Sequence, residues 1–176
     1  MKKIVIVFLF LFSAIQVYSQ EQNQLEEIMN ISLEKYFEIK IGPVNDSDTS
    51  EDLSEDYLSL ENLPPNFEIS QKVKDTGIRL IDLSGKYNKK IFNKPKGVFW
   101  VSYPFLEGNT LRIGFTSSGV RKKGGRLMIG MIDTFYFYWQ YSSEKGYWKL
   151  MHVSRGIFAS QLPAEWGDVI VGGPEM

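Results

Sequence analysis

The apolar and polar positions of this chain fall into stretches with different periods. Residues 4–12 are unbroken apolar behind Lys2 and Lys3, and Ala14-Ile15 extends the run. Val17-Tyr18-Ser19 then sets compact residues three and one positions ahead of a cut before Gln20. This is the layout of a secretory signal peptide over residues 1–19, and its apolar run is too short to span a bilayer comfortably. Residues 22–40 switch to a helical period. Leu25, Ile28, Met29, Leu33, Tyr36 and Phe37 recur at three- and four-residue steps and make one apolar stripe. Glu21, Glu26 and Glu27 lie near the amino end and Lys35 and Lys40 near the other, as the helix dipole favours. Gly42-Pro43 stops the element. The pattern therefore predicts an amino-terminal helix within residues 20–43.

Residues 44–65 are dense in Asp and Glu, with few apolar side chains before Tyr57 and Leu58, and read as an acidic linker. From about Thr76 the helical period disappears. Short runs rich in aromatic and β-branched residues at 78–83, 98–105, 111–115, 127–132, 135–141 and 148–153 predict strands separated by turn formers. Residues 66–176 are thus expected to form an antiparallel β domain that completes a single fold with the helix.

Two turns allow the faces to be assigned. A three-residue loop at Glu107-Gly108-Asn109, with Asn109 left-handed, sets Phe105 opposite Leu111, Tyr103 opposite Ile113 and Val101 opposite Phe115. That register gathers apolar residues on one face, whereas a two-residue Gly-Asn turn mixes the faces. At Glu144-Lys145-Gly146, with Gly146 at positive φ, Gln140 pairs with Leu150 and Tyr138 with His152. Phe135, Phe137, Trp139, Met151 and Val153 then share a core face, and Tyr136, Tyr138, Gln140, Trp148 and His152 the opposite one. Tyrosines, an indole, an amide and an imidazole on one face suit a ligand surface or a partner interface. A second layer covering that face is the alternative.

Composition changes the picture in two ways. The chain has no Cys, so it carries neither disulfides nor thiolate chemistry, and its stability rests on packing. The net charge of −1 conceals a division: residues 20–69 hold thirteen Asp/Glu and two Lys, while residues 70–176 hold sixteen Lys/Arg and eight Asp/Glu. Either the basic lobe binds a polyanion or the acidic stretch lies over it and neutralises it.

The inventory for catalysis is thin. His152 is the only histidine, and no glycine-flanked nucleophile serine is present. One His and no Cys do not make a zinc site of the usual kind. Asp46-Ser47-Asp48-Thr49-Ser50 has the spacing of a calcium loop, but Glu51 stands where such a loop needs Gly and Tyr57 where it needs Glu. Asp82 and Asp133 sit in otherwise apolar strand-like settings and are candidate carboxylates for a hydrolase. Gly124-Gly125, between Arg121-Lys122-Lys123 and Arg126, lacks the strand, loop and helix context of a phosphate loop and reads as a basic hairpin tip.

Residues 80–150 carry Ile81-Asp82-Leu83 with Lys86-Tyr87-Asn88-Lys89, then Leu106-Glu107-Gly108-Asn109, then Tyr138-x-x-Tyr141 leading through Glu144-Lys145 to Trp148. In these the chain resembles a group of small exported bacterial proteins to which no activity is attached. The shared residues are turns and strands, so the resemblance implies export and no chemistry.

These readings predict an α+β protein: an amphipathic helix packed on a twisted antiparallel sheet of five or six strands, analogous in layout to cystatin-like and NTF2-like folds. The expected function is that of an exported, periplasmic or extracellular, non-catalytic binding or accessory protein. It would engage a protein or glycan through Tyr136, Tyr138, Gln140, Trp148 and His152. No cofactor, metal or nucleic acid is expected, nor stable membrane insertion once the leader is cut. The alternative is a secreted hydrolase using Asp82 and Asp133, or His152.

Overall fold

The computed structural model describes the backbone of residues 2–41, 53–64, 66–83, 89–156, 158–160 and 170–172. The chain is α+β, with one long helix, α1 (Lys2–Ile41), laid on a mostly antiparallel, open sheet of nine strands. Helical backbone runs through the predicted leader, whose side chains lie outside the described ones. Among the described residues no helix is long and apolar enough to cross a membrane.

The helical stripe lies on the sheet as its period requires. Ile28, Met29, Leu33, Tyr36 and Phe37 are buried, and Leu25 packs at their margin. Ser32 belongs to the same stripe: it is fully buried, and its hydroxyl accepts a 2.9 Å hydrogen bond from the Trp139 indole N–H. Tyr36 stacks on Phe115 at 5.2 Å, and Phe37 meets Phe99 edge-on at 5.3 Å. Asn30 fastens the helix to the next segment, donating to the Glu68 carbonyl and accepting from the Ser70 N–H, each at 2.9 Å. Ser70 in turn caps the short helix α2 (Gln71–Lys74).

The strands are β1 (Tyr57–Ser59), β2 (Arg79–Ile81), β3 (Lys96–Val101), β4 (Phe105–Glu107), β5 (Thr110–Lys123), β6 (Arg126–Ser142), β7 (Tyr147–Arg155), β8 (Phe158–Ser160) and β9 (Ile170–Gly172). They run in the order β2-β1-β3-β5-β6-β7-β8, with β4 added to β5 and β9 to β7. The expectation of five or six strands, all antiparallel, is corrected on both points. The runs predicted at 127–132 and 135–141 are one strand, β6, while β1, β4, β8 and β9 are too short to show a period. Strand β1 pairs parallel to both β2 and β3.

Strand β1 arises within the stretch read as an acidic linker, of which residues 44–52 and 65 lie outside the described ones. Two of its acidic residues meet the start of β3. Glu55 pairs with Lys96, and the Asp56 carboxylate accepts the Gly97 N–H at 2.7 Å. The hydrogen bond from Lys96 draws the Glu55 carboxyl below the ordinary glutamate range.

The helix covers the inner face of the sheet, where Leu58, Phe99, Val101, Leu111, Ile113, Phe115, Phe137, Trp139, Leu150 and Val153 form the main core. One end of the outer face has a smaller core of its own. Tyr57, Ile81, Val98 and Val120 pack there under Phe92, which the 3-10 turn Lys89–Asn93 carries. The other end of the outer face, over β5, β6 and β7, contains the predicted site.

Candidate functional site

Strand alternation sends every second residue of β6 outward. Tyr136, Tyr138 and Gln140 share that face, and Tyr138 stands directly opposite His152 on β7, as the turn register predicted. The two rings stack at 4.2 Å between centroids and 15° between planes. Among the described residues His152 is therefore held by a ring and not by a carboxylate.

Trp148 is a correction. The loop between β6 and β7 holds four residues, 143–146, with Ser142 opposite Tyr147, and Gly146 takes the positive φ of 67°. A four-residue loop shifts the register by one, so Trp148 pairs with Tyr141 and turns to the inner side. An irregularity beside Tyr138 restores the predicted pairing beyond it. The same shift puts Leu150 in the core and leaves Met151, expected there, 46% exposed.

The Gly108-Asn109 turn is a second correction. It is a two-residue turn with Glu107 opposite Thr110, and Gly108 rather than Asn109 has positive φ, at 60°. Phe105 consequently faces Arg112, while Val101 still faces Phe115 as predicted. One extra residue in the link Ser102-Tyr103-Pro104 reconciles the two registers. Ser102 holds the link to β5, its N–H donating to the Gly114 carbonyl and its hydroxyl accepting the Gly114 N–H, both at 2.8 Å.

This displacement brings Phe105, which sequence reasoning placed on the core face, out beside Arg112, which that reasoning already set on the polar face without including it in the site. Phe105 lies 51% exposed on the outer face. The Arg112 guanidinium sits 5.1 Å from its ring centroid and 5.4 Å from that of Tyr136. Gly114 makes room for Tyr136: a Cβ there would come within 3.0 Å of the ring. The alternating outward Arg112 was the available signal, but its partner depended on a turn type that the sequence leaves open. The result is a platform of Phe105, Arg112, Tyr136, Tyr138 and His152, with Gln140 at its end beside a recess of about 360 Å³ that Lys149 and Met151 also line.

Trp148 instead lines a cavity of about 560 Å³ on the other side of the sheet, between the helix and the Pro104 to Asn109 hairpin. Leu25, Ile28, Leu106, Leu111 and Tyr141 supply most of its remaining wall.

The two candidate carboxylates do not meet. Asp82 follows β2 and Asp133 lies on β6, four strands away in the sheet order. At about 4.8 Å per strand that is about 19 Å, beyond the roughly 5–9.5 Å at which paired carboxylates work on a glycosidic bond. Asp133 accepts hydrogen bonds from Lys40 at 2.8 Å and from Arg155 at 2.9 Å. Burial pushes its carboxyl up, but the bonds from Arg155 and Lys40 outweigh burial and hold it below the ordinary aspartate range. It is thus an anion that ties the end of the helix to the sheet. Among the described residues no three side chains of metal-binding type come together, and Asp46 to Glu51 lie outside them.

Neither a protein-family model, nor a curated protein, nor a solved structure matches this chain.

Proposed function

We propose that this is an exported, non-catalytic binding protein whose ligand, a glycan or a protein, is engaged by the outer face of β5 to β7. The observation that carries this reading is the platform itself: Phe105, Arg112 and Tyr136 in one cation and ring sandwich, continued by the Tyr138 and His152 stack. The opposite end of the same face is closed by Phe92, so exposure here is a local property and not a general looseness of the fold. Flat rings beside a guanidinium and an amide suit a sugar, whose C–H face stacks on a ring while its hydroxyls take hydrogen bonds. The signal-peptide layout of residues 1–19 supports the location. The layout, a helix across a twisted sheet, is analogous to cystatin-like and NTF2-like folds and carries no activity with it.

A panel of immobilised oligosaccharides tests the reading, with Y136A/Y138A as the control protein. Selective retention on one sugar class, at least tenfold weaker in the double variant, is the expected result. Equal retention of the two proteins on every member would sink the glycan reading. A pull-down of one protein partner that the double variant still captures would sink the platform as the site altogether.

A further inference from the structure

The β5–β6 ribbon runs past both its neighbours. Strand β3 pairs with β5 no further than Val120, and β7 pairs with β6 no further than Phe135, so residues 121–128 pair only with one another. Gly124 and Gly125 close the end, both at positive φ (57° and 79°), which a two-residue turn of this hand requires. Around that turn stand Arg121, Lys122, Lys123 and Arg126, and the sequence has no Asp or Glu from Gly108 to Ile132. Among the described residues none of these four cations is paired with a carboxylate. Just behind them Met128, Ile129 and Ile132 are 52%, 59% and 62% exposed.

Charge alone would keep the free edges of such a ribbon from pairing with another chain. It leaves three large exposed apolar side chains unexplained. A soluble polyanion would explain the cations and gain nothing from the isoleucines. A surface with phosphates outside and hydrocarbon beneath uses both. We infer that the β5–β6 ribbon docks this protein on the surface of a bilayer rich in anionic phospholipid, with Arg121, Lys122, Lys123 and Arg126 at the phosphates and Ile129 and Ile132 entering the boundary with the acyl chains. Register fixes the attitude. Ile129 pairs with Val120 and Ile132 with Ser118, so both face outward on the same side as Lys122, while Arg121, Lys123, Arg126 and Met128 alternate to the other side of the narrow ribbon. With cations at the very end and apolar residues behind them, the ribbon lies along the surface instead of entering end-on, and its long basic side chains reach sideways to the headgroups. This is adsorption to one leaflet and not insertion across it.

Vesicle co-sedimentation tests the proposal, using vesicles of phosphatidylcholine alone, vesicles with about a third phosphatidylglycerol, and immobilised heparin as a polyanion without hydrocarbon. Wild type, R121Q/K122Q/K123Q/R126Q and M128S/I129S/I132S carry the same amino terminus, so differences between them report on the ribbon. Melting curves confirm that each variant is folded; the substituted positions lie outside the main core. Wild type is expected to sediment with the anionic vesicles and much less with the neutral ones, with binding falling as salt rises. Loss of the four cations should weaken partition by about a hundredfold or more, since each basic side chain near an anionic surface contributes roughly a factor of five. The apolar variant should lose about tenfold on vesicles while keeping its retention on heparin. Equal binding of wild type to neutral and anionic vesicles overturns the proposal. So does an apolar variant that binds anionic vesicles as wild type does, which would leave the ribbon a plain polyanion contact.

Discussion

On the inner face of the sheet Phe115, Phe137, Trp139 and Val153 meet the helix with at most 2% of their surface exposed, whereas on the outer face of the same strands Arg112, Tyr136, Tyr138 and His152 remain partly in solvent. The difference follows from what returns over each face. The 40-residue helix runs along the inner face from Leu25 and Ile28, beside Tyr141 and Trp148, to Lys40 at Asp133. Over the outer face the described covering is the short 3-10 turn with Phe92, which reaches β1, β3 and β5. Where a layer returns, the side chains are apolar and close-packed; where none of the described residues returns, the rings carry hydroxyl, imidazole or guanidinium partners that tolerate water. One sheet thus provides a rigid support on one side and an adaptable surface on the other.

Adjacent residues of β6 give the sharpest way to break this comparison. Phe137→Ala should destabilise the protein by about 3–5 kcal/mol, the usual cost of emptying a closed aromatic site. Tyr138→Ala, one residue along, should cost no more than about 1 kcal/mol, as expected away from a packed core. Chemical denaturation of the two variants measures the contrast, and similar midpoints would mean that the outer face is structural after all. Phe92→Ala comes next. If the 3-10 turn makes the covered end of the outer face a true core, the loss should be about 2–4 kcal/mol, whereas a loss within the range of a surface substitution would reduce the turn to a loose flap.

The smallest of these effects concerns the anchor between helix and sheet. Asp133→Asn removes a carboxylate shared by Lys40 and Arg155, and should cost about 1–2 kcal/mol at neutral pH. Because the folded protein holds this carboxyl below its ordinary value of 3.8, the unfolded chain takes up the proton first as pH falls. The contribution is whole above that value, declines below it, and vanishes once pH has passed through the lower folded pKa. Glu38 behaves alike: burial raises its carboxyl, but hydrogen bonds from Lys72 and Lys35 leave it below its ordinary 4.5. Wild type should therefore lose stability below about pH 4, and Asp133→Asn should flatten that slope. An unchanged acid limb would show that the anchor does not support the fold.

Much of the framework was legible before any coordinates. The helix, its buried stripe and the core strands in the runs read at 98–105, 111–115, 135–141 and 148–153 follow from period and from apolar alternation, although the first of these strands ends at Val101. The pairing of Tyr138 with His152 came from a three-residue loop that the structure replaces, and it holds through the irregularity beside Tyr138. The short strands were not, because three residues are too few to carry a period of two. Nor was the use of Ser32, since a small polar residue on an apolar stripe is explained only by the indole that meets it.

Register separates the two kinds of knowledge. Side-chain pattern along a strand states which residues share a face, and here it assigned Phe135, Phe137 and Trp139 to the core and Tyr136, Tyr138 and Gln140 to the outside without any neighbour being known. Turn length decides where that strand sits against the next one, and one residue reverses every side chain beyond it. The two-residue turn at Gly108 carried Phe105 out beside Arg112, and the four-residue loop before Tyr147 carried Trp148 in toward the helix. Both outcomes depend on compensating irregularities, at Ser102 to Pro104 and beside Tyr138, whose cost is offset by contacts with residues far along the chain. Local pattern holds no information about such contacts, so the content of each face was written in the chain while the membership of the site was settled by packing.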